Sequence, residues 1–169
     1  MAAPATKGVP FSVESCHSSI PQTKFREITL QILFAMDVSG QEDEVIPMVM
    51  REVRVSKRHV LSAFSMASAV IDNKNSLDDL LRENIEGSHQ EKVSRLEKNV
   101  LRLICYERFS ANDSPAADAV LISEAIRLTK KFGHPPASAF VHAVLDSIFQ
   151  KNHSLTFTRI SFPSNLKTN

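Results

Sequence analysis

Residues whose types could carry chemistry are scattered along this chain. His17, His59, His89, His134, His142 and His153 fall far apart, and none has an acid and a nucleophile at a spacing that would build a proton relay. A Gly-rich phosphate loop and a GxSxG elbow are both missing from the 169 residues. The paired acids Asp78 and Asp79 read as the solvated start of a helix, where negative charge suits the helix dipole. No Cys/His spacing suggests zinc, so neither a metal nor a cofactor is expected, and the chain reads as a binding protein, not an enzyme. What remains is basic. Lys24 and Arg26 sit in one short run, and Arg127, Lys130 and Lys131 in another, followed by His134. Such cations can pair with phosphate and make affinity depend on salt. They can equally be a solvated helix end (Lys24, Arg26) or a complement to a helix C-terminus (Arg127, Lys130, Lys131) worth about 0.3–1 kcal/mol.

These side chains need elements to position them. Hydrophobic residues make up 43% and charged residues 23%, with only four glycines and few alternating β-branched runs, so helix is favoured over sheet. Residues 1–20 read as a mobile leader with Pro4, Gly8, Pro10 and four serines. A helical domain over 21–151 and a C-terminal tail over 152–169 follow. Pro21 introduces a first helix over Gln22–Val38, with Ile28, Ile32, Ala35 and Met36 on one face and Leu30, Leu33 and Phe34 widening it; Ser39-Gly40 stops it. A weaker amphipathic segment spans 43–54, where Pro47 is tolerable only in a first turn. Ser56 caps a third helix through Ile71; Asn73–Asn75 breaks it; Ser76 caps a short acidic helix ended by Gly87-Ser88.

The fifth helix, Lys92–Phe109, is apolar on most sides and therefore central. The sixth runs Ala117–Phe132, stopped by Gly133 and Pro135-Pro136, and the seventh Ala137–Lys151. The tail alternates like a strand over Thr156–Phe162. Two cysteines, Cys16 and Cys105, make a disulfide framework a poor reading and a reducing, cytoplasmic compartment the better one. The N-terminus has no hydrophobic signal core, and no stretch reaches the roughly 18 apolar residues of a membrane span. The net charge of +1 indicates no partner by itself, but Asp72–Glu91 is acid-rich and Lys151–Asn169 has no acid. The acidic stretch reads either as a solvated face or as a surface for a basic protein.

The order of four segments carries a resemblance. KFREITLQILFAMDVS, LEKNVLRLICYE, ISEAIRLTKKFG and FVHAVLD, spread over residues 22–150, resemble the NusB family of transcription antitermination factors. The resemblance implies an all-α fold of about seven helices in two three-helix-bundle-like halves. It implies binding of the boxA element of ribosomal RNA transcripts together with ribosomal protein S10 (NusE), within an RNA polymerase antitermination complex. It also admits a homodimer that covers the RNA surface. The RNA-binding residues it implies are Lys24, Arg26, Phe34, Lys130, Lys131, His134 and Phe140. Phe34 matches the family's first-helix tyrosine, and Phe140 the phenylalanine before its usual Val-Asn; aromatic stacking on single-stranded RNA is worth about 1–3 kcal/mol per base. On periodicity alone both are core residues. Arg102 and Glu107 fit the family's LR and YE pairs and are expected to be structural.

The chain departs from the family's pattern in places. Gln22 and Thr23 thin its arginine-rich opening; Ser123 and His142 replace asparagines; Pro135 and Pro136 enter the loop after Phe-Gly; and no tryptophan precedes the fifth helix. Two alternatives therefore stand beside RNA binding. One is a protein-interaction module of the same fold with weak or lost RNA affinity. The other is the helical RNA-binding part of a ribosomal RNA methyltransferase, which would need a catalytic domain after Asn169.

Overall fold

A computed structural model describes residues 20–110 and 116–153. The expected leader up to residue 19, the loop at 112–115 and the strand-like run at 156–162 lie outside the described residues. Those residues form eight helices and no strand: α1 (Gln22–Ser39), α2 (Glu42–Glu52), α3 (Lys57–Asp72), α4 (Lys74–Asn84), α5 (Gly87–Gln90, a single turn), α6 (Arg95–Phe109), α7 (Asp118–Phe132) and α8 (Ala137–His153). The all-α expectation holds, with α5 as the one addition.

Helix ends follow local chemistry. α1 stops because Gly40 adopts φ 65°, a left-handed conformation that glycine reaches without Cβ strain, and donates its N–H to the Met36 carbonyl. α6 starts at a capping box: the Ser94 hydroxyl accepts from the Glu97 N–H, and the Glu97 carboxylate accepts from the Ser94 N–H. The expected start at Lys92 is thus three residues early, and the S-x-x-E signature marks the true one. α3 and α4 are separated by Asn73 alone. Ser76 therefore lies inside α4 and caps nothing, and Asp78 and Asp79 fall beyond the first turn, where the dipole gives them little. Pro47 sits in the second turn of α2, not the first. Pro47 and Asp43 are both on the exposed face, so water can reach the carbonyl that loses its partner.

α1, α2 and α3 pack together as one half; α6, α7 and α8, with α4 against α6 and α8, form the other. α6 touches α1, α3, α4, α7 and α8. Its central position is visible in burial: Val100 to Cys105 are six consecutive buried residues, more than one full turn with no solvent face. Ile28, Ile32 and Leu33 of α1, Leu121 and Leu128 of α7, and Leu145 and Ile148 of α8 fill the space around it. Each is fully buried and stabilises the fold by about 1.5–3 kcal/mol.

Candidate nucleic-acid interface

Long side chains bridge the first turns of α1 and the last turns of α7, which brings the two basic runs of the sequence into one cluster. Glu27 is the joint. Its carboxylate meets Lys131 at 2.8 Å, Arg127 at 2.5 Å and Lys24 at 3.7 Å. Arg127 also holds Glu124 with two hydrogen bonds of 3.0 Å and donates to the Thr23 carbonyl at 3.0 Å. Burial alone would raise the pKa of Glu27; the hydrogen bonds from Lys131 and Arg127 outweigh it and hold the carboxyl below its ordinary value. Glu124 behaves alike: desolvation opposes ionisation, and Arg127 and Arg26 overcome it.

Arg26 occupies a different place from the one the sequence suggests. Its side chain is buried, with Nε and Nη2 donating to the two Glu107 oxygens at 2.9 and 2.6 Å and Nη1 donating to Glu124 at 3.4 Å. The bidentate bond to Glu107 raises the guanidinium pKa against the opposing desolvation. An arginine in this position has no donors turned to solvent for phosphate. The helix period explains the difference: Lys24 and Arg26 are two residues apart and point about 200° apart around α1. Periodicity over Arg26, Ile28 and Leu33 did not separate a surface cation from an internal one; Glu107 and Glu124, distant in sequence, were the missing information.

The solvent-facing cations of this end are Lys24, Lys130 and Lys131. Lys130 is exposed, with no ion pair among the described residues. Lys131 also lies over the Phe132 ring at 5.4 Å. His134 is exposed in the turn that follows, its carbonyl accepting from the Ala137 N–H at 2.9 Å. Gly133 permits that turn: a Cβ there would stand 2.7 Å from a Leu96 methyl and 3.0 Å from the Thr129 carbonyl. Around this edge five cations (Lys24, Arg26, Arg127, Lys130 and Lys131) face three carboxylates (Glu27, Glu107 and Glu124), so a positive excess survives the internal pairing.

The two aromatic candidates line hollows outside the Glu27 ion-pair cluster. Phe140 is half-buried in the first turn of α8 and lines a hollow of about 220 Å³ with Asn84, Ile85, Glu86, His89, Ala143 and Val144. Phe34 is 38% exposed near the far end of α1, in a groove of about 730 Å³ between α1 and α2 that also holds Val38, Met48, Asp43 and Glu44. Ser123 and His142, the asparagine replacements, are both exposed.

A second polar cluster went unread in the sequence. Asp37, near the C-terminal end of α1, is held by Lys74 at 2.7 Å, by the Asn99 amide at 3.2 Å and by Arg102 at 3.6 Å. Burial would raise its pKa, but Lys74, Asn99 and Arg102 keep it lowered. Arg102 is buried and donates to both Asp78 oxygens at 2.7 and 3.0 Å and to Asn99 at 2.8 Å. The structural reading of Arg102 and Glu107 therefore holds, with carboxylate and guanidinium partners in place of backbone ones.

Comparison with known proteins places this architecture. A model of the NusB family matches residues 23–150. The transcription antitermination protein NusB of Chlamydia pneumoniae is 37% identical over 143 residues, which is 84% of this chain and 86% of that protein. Its counterpart in Dehalococcoides mccartyi (strain CBDB1) is 33% identical over 126 residues, 74% of this chain and 87% of the relative. Among solved structures, T. maritima NusB superposes with a TM-score of 0.65 at 26% identity, covering 79% of this chain and 93% of that one. A crystal structure of antitermination factors NusB and NusE in complex with dsRNA matches with a TM-score of 0.63 at 20% identity, over 77% and 96% of the two chains, a likeness of fold.

Proposed function

This chain belongs to the NusB family of transcription antitermination proteins, whose role is not enzymatic, and from that premise we propose that it binds boxA-type ribosomal RNA leader sequence together with ribosomal protein S10 (NusE). Lys24, Lys130 and Lys131 contact RNA phosphates, His134 hydrogen-bonds to RNA, and Phe140 offers a face to a base. Arg26 serves as an internal strut that sets the angle of the edge. Phe34 belongs to a separate apolar surface. The observation that carries this reading is the convergence of Lys24 and Lys131 on Glu27, which joins the start of α1 and the end of α7 into one cationic border. A solved complex of NusB with NusE and RNA, whose fold this chain shares, adds support for both partners. A role on nascent transcripts within an RNA polymerase complex goes with a cytoplasmic location, and among the described residues no helix is long and apolar enough to cross a membrane.

A second reading, a protein-interaction module of the same fold with weak RNA affinity, is favoured by one observation: Arg26 and Arg127 are engaged internally, so fewer cations face solvent than the sequence suggests. Titrating labelled boxA RNA with the protein across salt concentrations, with and without NusE, separates the two. Submicromolar binding with a negative slope in log affinity against log salt supports the first. An absence of RNA binding even with NusE overturns it and leaves the second.

A further inference from the structure

The Asp37 cluster borders a hollow of about 370 Å³ lined by Asp37, Lys74, Arg95, Lys98 and Arg102. Four of these five side chains are cationic. The neighbouring carboxylates are already engaged: Asp37 by Lys74 and Asn99, Asp78 by Arg102, and Glu97 by the Ser94 N–H of the capping box. Donors are in surplus. The Lys98 ammonium has no hydrogen bond or ion pair among the described residues. Arg95, its side chain 55% exposed, commits one N–H to the Asp37 carbonyl at 3.1 Å and otherwise approaches Asp37 only at 3.9 Å. Lys74, 37% exposed, has three N–H groups and one close acceptor. Two helices also begin here. Lys74 opens α4 only one residue after α3 ends, and Arg95 opens α6, whose start is already filled by the Ser94–Glu97 capping box, so the positive character of the hollow comes from its side chains.

We propose that this hollow is a second phosphate-binding site, in which Lys74, Arg95 and Lys98 hold the oxygens of one RNA backbone phosphate while buried Arg102 fixes Asp37 beneath them. The site lies near the far end of α1 from the Lys24–Lys131 border: Arg26 and Asp37 are eleven residues apart, about 16 Å along the helix. An RNA that occupies it follows the length of α1 past both ends of the seam between the two halves. The ligand rests on the RNA reading above; the anion chemistry does not.

The test pairs R95Q/K98Q with K130Q/K131Q, each titrated with the same boxA RNA over a salt series in the presence of NusE, with inorganic phosphate as a separate probe followed by ¹H–¹⁵N NMR. The expected result for R95Q/K98Q is a loss of affinity of about 3–10-fold, with the salt slope shallower by about 0.7, the single-strand value for one phosphate. Unchanged affinity and slope in R95Q/K98Q, alongside weakened binding by K130Q/K131Q, overturns this site and leaves the first surface standing. Should wild type bind no RNA, the RNA reading fails. The phosphate titration then decides: saturable shifts at Arg95 and Lys98, absent from R95Q/K98Q, support a site for free phosphate, and their absence overturns it. R95Q alone, at the most exposed of these cations, repeats the test if the double variant melts early.

Discussion

Arg26 and Glu107, 81 positions apart, meet through a pair of parallel hydrogen bonds of 2.6 and 2.9 Å that join the first turn and a half of α1 to the last turn of α6. Arg26→Met should remove that bond and leave Glu107 and Glu124 facing each other without their shared cation. Breaking one side of such a pair costs about 3 kcal/mol. Arg26→Lys should recover only part of it, because an ammonium cannot match both carboxylate oxygens. Urea denaturation of both variants checks this; a melting profile equal to wild type in Arg26→Met would contradict the strut assignment.

Lys130→Gln should have the opposite profile. Lys130 is exposed and outside the ion-pair network, so stability should stay within about 0.5 kcal/mol of wild type. RNA affinity should fall, with a shallower salt slope. Denaturation and RNA titration on one protein sample separate the two effects.

Acid should loosen the fold through three carboxylates. Asp37, Glu27 and Glu124 all have folded pKa values below their ordinary 3.8, 4.5 and 4.5. Groups depressed in the native state contribute stability that is fully present above the unfolded pKa and is lost as pH falls through the folded one. Stability should therefore be level above about pH 5.5 and decline as pH drops below about 4.5. Glu27→Gln should show a smaller decline over the same range, measured by urea midpoints in a pH series.

Gly133→Ala should destabilise by about 1–3 kcal/mol, through crowding and not through dihedral strain. Its Cβ would press on Leu96 and on the Thr129 carbonyl. Leu96→Ala in the same background should relieve part of the penalty; strict additivity of the two substitutions in thermal melts would refute the contact.

Ser94→Ala should cost about 1 kcal/mol by removing half of the capping box of α6. Since α6 is the central helix, the loss should appear in the global unfolding transition and not as local fraying, a distinction that amide hydrogen exchange at Glu97 would make.

The helices were legible in sequence because their apolar periods are strong and their stops are chemical: Gly40, Gly133 and Pro135-Pro136 end helices for reasons visible in single residues. One local signal was present and passed over: Ser94-x-x-Glu97 states where α6 begins. The break expected over Asn73–Asn75 narrows in the structure to Asn73 alone, which leaves α3 and α4 nearly continuous. The site was less legible. A lysine on a helix reads the same whether it faces water or a carboxylate from another helix, and the charged partners of Arg26, Arg102 and Asp37 lie 24 to 98 residues away. The basic border was recovered from residue type and order, whereas its division into surface cations and internal struts needed the tertiary arrangement.

α1 is fastened to the other half of the molecule near both ends, through Arg26 to Glu107 and Glu124, and through Asp37 to Lys74, Asn99 and Arg102. Two clamps on one rod suppress both sliding and swivelling of the halves. The binding faces are consequently held in a fixed relation before any partner arrives, and association forfeits little conformational freedom on this side, so affinity can come from few contacts. A protein built this way would act as a rigid template onto which a flexible strand is laid, with the ordering required of the strand alone.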